Sequence, residues 1–110
     1  MTDTNVRIVL CTVDTNEAAQ RLAHGLIEER LAACVNIVPG LTSVFPWHGA
    51  VQTDQELLLI AKTTVSTYPE LERRLRAEHP YDVPEILALP VAAGLSEYLN
   101  WVEESTDRTA

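Results

Sequence analysis

Two stretches of this 110-residue chain are apolar at nearly every position, VRIVLCTV at 6–13 and LLLIA at 57–61. Two other β-prone stretches are each broken by a pair of prolines, Pro39 with Pro46 and Pro84 with Pro90. A strand apolar on both faces belongs inside a sheet, whereas proline cannot donate to a ladder and is confined to edges or bulges. Two inner and two outer strands leave few ways to build a small domain.

The segments between them read as helices. Asp14 and Glu17 make a D-x-x-E start signal, after which Ala18, Ala19, Leu22, Ala23, Leu26 and Ile27 trace one stripe to about Arg30. Thr67 and Glu70 repeat the capping spacing, Tyr68, Leu71 and Leu75 supply a second stripe, and Pro80 biases His79 out of the helical region. Between these helices, His48-Gly49 separates AACVNIVPGLTSVFPW from VQTDQELLLIAKTTV and predicts a hairpin with a tight turn. A last amphipathic helix carries Leu95, Tyr98, Leu99 and Val102.

The predicted order is therefore β-α-β-β-α-β plus a helix. With the proline-bearing strands outside, it gives an α+β, ferredoxin-like split βαβ sandwich with antiparallel sheet order 4-1-3-2, a long second hairpin and an extra C-terminal helix. One domain over residues 1–110 is expected, its ordered core at about 6–104.

Composition narrows the partners. The formal charge is −8, with sixteen acidic residues against Lys62 and seven arginines. Arg73, Arg74 and Arg76 cluster, but Glu70, Glu72 and Glu78 interleave with them at helical spacing. Nucleic-acid binding needs unneutralised cationic surface, so no nucleic-acid partner is expected. No run approaches a membrane span and MTDTNVR is too polar for a signal peptide, which predicts a cytoplasmic protein with no membrane partner and with Cys11 and Cys34 as separate thiols.

The hairpin limbs exceed the usual five or six strand residues, and Phe45 and Trp47 sit near the tip. Pairing with further copies of the chain would satisfy the edge and bury the aromatics, so a homo-oligomer is expected.

AACVNIVPGLTSVFPWHG, ELLLIAKT, HPYDVPEI with ALPV, and YLNWV stand in an order that resembles the CutA family of divalent-cation tolerance proteins. The resemblance runs from Leu10 to Val102. It implies a ferredoxin-like subunit, a homotrimer arranged like the PII signalling proteins, and tolerance to copper (Cu2+) and other divalent cations. The copper ligands it implies fall on Cys11 and His79, with Glu78 standing where the copper-binding pattern HHPY has its first histidine. A second reading is a PII-like regulatory or scaffold trimer that holds a small molecule or protein partner in clefts between subunits.

Topology independently brings Cys11 and His79 to one end of the sheet. A thiolate and an imidazole suit copper or zinc, and Glu78 can add an oxygen. The same residues also read as a core thiol and a helix-end cap. Asp82, Glu85, His79 and Tyr81 are acid-base types, but no nucleophile elbow, P-loop or dinucleotide-binding glycine pattern accompanies them, so no enzyme is expected. Phe45, Trp47, Lys62, Tyr81, Asp82 and Glu85 are the candidates for a subunit boundary or cleft, where Asp82 and Glu85, if not solvated, accept hydrogen bonds from backbone or from Lys62.

Overall fold

The computed structural model describes residues 3–109. Met1, Thr2 and Ala110, the ends of the expected domain, lie outside the described residues. The order is β1 (Val6–Val13), α1 (Asn16–Glu28), β2 (Cys34–Trp47), β3 (Ala50–Thr64), α2 (Tyr68–Glu78), β4 (Ile86–Pro90) and α3 (Ser96–Ser105). The sheet runs β2-β3-β1-β4 with every neighbour antiparallel, so the apolar strands are inside and the proline-bearing ones outside.

Strand periodicity divides the sheet into two faces. Val9, Cys11 and Val13 of β1 and Leu59 and Ala61 of β3 point to the helices and join Leu22 and Leu26 of α1 and Leu71 and Leu75 of α2 in one core. Ile8, Leu10, Leu58 and Ile60 point the other way and stay half-buried, beside Leu87, which is 55% exposed. The expectation that both faces of the inner strands are covered therefore holds for one face only within a single chain.

Helix boundaries depart from the sequence reading in instructive ways. Thr15, not Asp14, caps α1, its hydroxyl accepting from the Ala18 N–H at 3.1 Å. Ile27 leaves the stripe and is 43% exposed. The helix ends at Glu28, two residues before the expected Arg30, in a Schellman turn: Arg30 takes φ 59° and the Leu31 N–H returns to the Leu26 carbonyl at 2.8 Å. Thr67 stands at the start of α2 without capping it: its backbone is already helical at φ −88°, ψ −24°, and its hydroxyl accepts from Thr64 Oγ1 at 3.0 Å. Pro80 does end α2, leaving His79 extended at φ −70°, ψ 140°. In α3 only Val102 is fully buried; Leu95, expected on its apolar stripe, is exposed at the boundary.

The hairpin is long and closes tightly. Pairing runs from Cys34 opposite Lys62 to Trp47 opposite Ala50, with one irregularity between Val38 and Leu41. Pro39 and Gly40 occupy that break, and Gly40 adopts φ 77°. His48 and Gly49 close the turn at φ 49° and 79°, the two positive values of a type I′ turn, which matches the twist of the flanking strands.

Candidate functional site

The segment His79–Glu85 folds back across the end of β1, and its first residue fixes it there. His79 Nε2 donates to the Thr12 carbonyl at 2.8 Å while Nδ1 accepts the Tyr81 N–H at 3.1 Å. A carbonyl can only accept and an N–H can only donate, so the ring is the neutral Nε2–H tautomer. The Tyr81 ring packs on the imidazole with centroids 4.7 Å apart, and its hydroxyl donates to Glu56 Oε2 at 2.7 Å. One short loop thus ties together β1, β3 and the end of α2.

Cys11 lies at the same place, as topology predicts: its Sγ is 3.9 Å from the Thr12 carbonyl oxygen that holds His79. The thiol is buried, and burial first, then the negative fields of Glu85 and Glu56, push its pKa up to about 12. Such a thiol is protonated at neutral pH and is a poor nucleophile. Glu78 turns away to pair with Arg74, which also contacts Glu29 at 3.0 Å. The expected metal residues Cys11, His79 and Glu78 therefore do not assemble into one donor set inside the chain. Both imidazole nitrogens are engaged, the thiol keeps its proton and the carboxylate is neutralised. Among the described residues no three His, Cys, Asp or Glu side chains converge on a single ion position.

Beside this network, the distal hairpin and the 81–85 loop enclose an open cleft. Phe45 and Trp47 form one wall, Tyr81 and Val83 the other, and Asp14, Asp54, Glu56, Asp82 and Glu85 supply five carboxylates with no Lys or Arg among the lining. Its volume of about 1030 Å³ is far beyond that of one ion, so in the single chain it is a solvent-filled trough and not a cage. Burial and the hydrogen bond to Glu56 drive the Tyr81 phenol strongly upward in pKa. Tyr81 therefore stays a donor throughout the neutral range.

Phe45, Trp47, Tyr81, Asp82 and Glu85, expected at a boundary or cleft, all line this trough. Lys62 does not. It is at the other end of β3's open face, on Asn36 Oδ1 and 3.9 Å from Cys34 Sγ, so it gives no bond to Asp82 or Glu85 in its own chain. Glu56 and Asp54 carry no site signal in the sequence, and Asp14 reads there only as a helix start. Placement alone is legible for Glu56, at the head of the LLLIA run, where alternation puts it on the same face as Leu58 and Ile60.

Comparison with known proteins decides the family. The family model described as CutA1 divalent ion tolerance protein matches residues 7–105. The chain belongs to the CutA family of divalent-cation tolerance proteins. The Divalent-cation tolerance protein CutA of Thermus thermophilus is 59% identical over 99 residues, 90% of this chain and 96% of that protein. A solved divalent cation tolerance protein (Cut A1) from the same organism superposes with a TM-score of 0.90 at 57% identity, covering 92% of this chain and 98% of its own. The crystal structure of CutA1 from Oryza sativa gives a TM-score of 0.92 at 49% identity, covering 98% and 99%. The CutA fold expected from sequence is thus the one found.

Proposed function

We propose that this CutA chain works as a cytoplasmic homotrimer that takes up divalent cations, copper among them, in the acidic cleft, and so contributes to the tolerance for which its family is named. Family membership over residues 7–105 is the observation that carries this reading. The cleft chemistry supports it: five carboxylates without a cationic neighbour attract a divalent ion, and oxygen donors suit hard and borderline cations. Homotrimer formation is supported by the row of apolar side chains on the open sheet face, which one chain leaves uncovered. No helix among the described residues is long and apolar enough to cross a membrane.

Cys11 and His79 stand behind the cleft as softer donors. Recruiting them requires the ion to break the His79–Thr12 bond and to displace the thiol proton, which a thiophilic ion such as copper is best suited to do.

Titration of Cu2+, Zn2+ and Mg2+ into the purified oligomer, followed by calorimetry, tests the proposal. Glu56→Gln combined with Glu85→Gln should weaken binding at least tenfold. Cys11→Ala and His79→Ala should weaken copper selectively. A wild-type oligomer that binds none of the three ions at millimolar concentration would end the cation reading.

A further inference from the structure

Glu56, Leu58, Ile60 and Lys62 alternate along β3 and share the sheet face turned away from the helices. The two charged ends of this row are six residues apart, roughly 20 Å at the rise of a strand, so they cannot touch within one chain. Neither has a counter-ion among the described residues. Glu56 is only 9% exposed, yet its single side-chain hydrogen bond among the described residues is the one from Tyr81 to Oε2, which leaves Oε1 open toward the cleft. Lys62 is half-buried, rests on Asn36 Oδ1 and Cys34 Sγ, and has no carboxylate within 4 Å among the described residues.

We propose that the Lys62 ammonium of one protomer enters the acidic cleft of its neighbour and pairs with Glu56, so that each cleft is complete only when a second copy supplies its lysine. The inference rests on the homo-oligomer reading above. Between the two charges stand the apolar side chains Leu58 and Ile60, flanked by Ile8 and Leu10, and a copy laid over them removes water from both ends of the row. Dehydrating a carboxylate or an ammonium is strongly unfavourable unless each meets an opposite charge.

Symmetry makes such pairing self-consistent, because every interface of a ring presents the same lysine to the same cleft. Lys62 is also the one cation suited to the task. Arg7, the other basic strand residue, alternates with Ile8 onto the helix side of the sheet, and the remaining arginines lie on helices or in loops. Tyr81 holds one Glu56 oxygen and orients the other. One ammonium against five carboxylates leaves the cleft acidic, so the contact and cation uptake coexist.

Zero-length carbodiimide coupling tests this directly, because Lys62 is the only lysine in the chain. The reagent joins an amine to a carboxylate only where the two are in contact. Wild-type protein should yield covalent dimers and trimers on a denaturing gel, and peptide mapping should join Lys62 to Glu56. Lys62→Arg and Glu56→Gln should each abolish that link while native mass spectrometry still reports the oligomer. An intact oligomer that gives no Lys62 link, or a Lys62 link to any other acid, overturns the pairing. A monomer in the native spectrum instead overturns the oligomer reading from which the pairing follows.

Discussion

His79 Nε2 and the Thr12 carbonyl, 67 residues apart in sequence, meet at 2.8 Å between two largely buried residues. The contact joins the end of α2 to the end of β1, and it is why the HPYDVPEI segment lies where it does. His79→Ala removes this bond and the one from the Tyr81 N–H, and it leaves the Thr12 carbonyl without its side-chain partner. Hydrogen bonds contribute about 1 kcal/mol each and an orphaned buried polar group costs about 1–3 kcal/mol, so a loss of about 3 kcal/mol is expected. Urea unfolding at fixed protein concentration measures it. A loss below 1 kcal/mol would mean that the segment is held by other contacts.

Cys11 predicts a specific alkaline weakness. Its thiol titrates at about 12 in the fold against 9.0 ordinarily, so the unfolded chain loses this proton first. Between those values the unfolded state binds fewer protons than the native state, and stability falls as pH rises. Below pH 9 the contribution is fully present; above 12 it is gone. The slope approaches about 1.4 kcal/mol per pH unit for one group. Cys11→Val should remove it, so the stability difference between wild type and variant should shift by about 1 kcal/mol or more from pH 8 to pH 10.5, read from paired urea curves. The raised Tyr68 and Tyr81 phenols act in the same direction at higher pH and are common to both proteins. Parallel curves at both pH values would show that the buried thiol is not the source.

Glycine to alanine should change sign along the chain. At Gly40 and Gly49 a new Cβ meets nothing within 4 Å, so holding alanine at φ 77° or 79° costs about 1–2 kcal/mol, offset by the about 0.5–1 kcal/mol of unfolded-chain entropy that glycine carries, a net loss of about 0.5–1 kcal/mol. At Gly25, inside α1, alanine gains about 1 kcal/mol in helix propensity. Its Cβ would lie 3.1 Å from Arg74 Nη2, but that guanidinium is the end of a flexible side chain, and its surface ion pairs contribute about 0–1 kcal/mol. Gly25→Ala should therefore be neutral to slightly stabilising while the other two lose stability. Thermal melts of the three variants side by side decide the point, and a uniform loss would count against the backbone explanation.

The strands were legible because their signals are local and chemically exclusive. Proline at 39, 46, 84 and 90 can stand only at an edge or a break, and the observed irregularity lies at Pro39 and Gly40. The hairpin turn was legible because Gly49 permits the positive φ it adopts. Helix starts were legible to within a residue: Asp14 and Thr15 both carry capping oxygens, and only the backbone path selects Thr15. The site was partly hidden. Tyr81 and Glu56 meet across 25 residues, and Glu56 looks like the polar end of a strand until the loop closes on it. Nor could spacing reveal that both His79 nitrogens are already taken, because one partner is a backbone carbonyl on β1, 67 residues away.

Arg30 offers a test of how α1 stops. The Schellman turn needs a left-handed residue, and here it is an arginine at φ 59° where glycine is the common choice. Leu31 then packs with Leu26 in the core, so the turn is fixed by burial although its central residue is strained. An L-residue in this region costs about 1–2 kcal/mol relative to glycine, while glycine adds about 0.5–1 kcal/mol of unfolded-chain entropy. The Arg30 Nε contact to the Ser105 carbonyl, at 3.5 Å and exposed, is too long to weigh much in that balance. Arg30→Gly should therefore stabilise by about 0.5–1 kcal/mol. Arg30→Ala loses the same contact and keeps the strain, so it should gain nothing. Chemical denaturation of both variants separates backbone from side chain, and equal stability of the two would place the control of this turn in the Leu26–Leu31 packing alone.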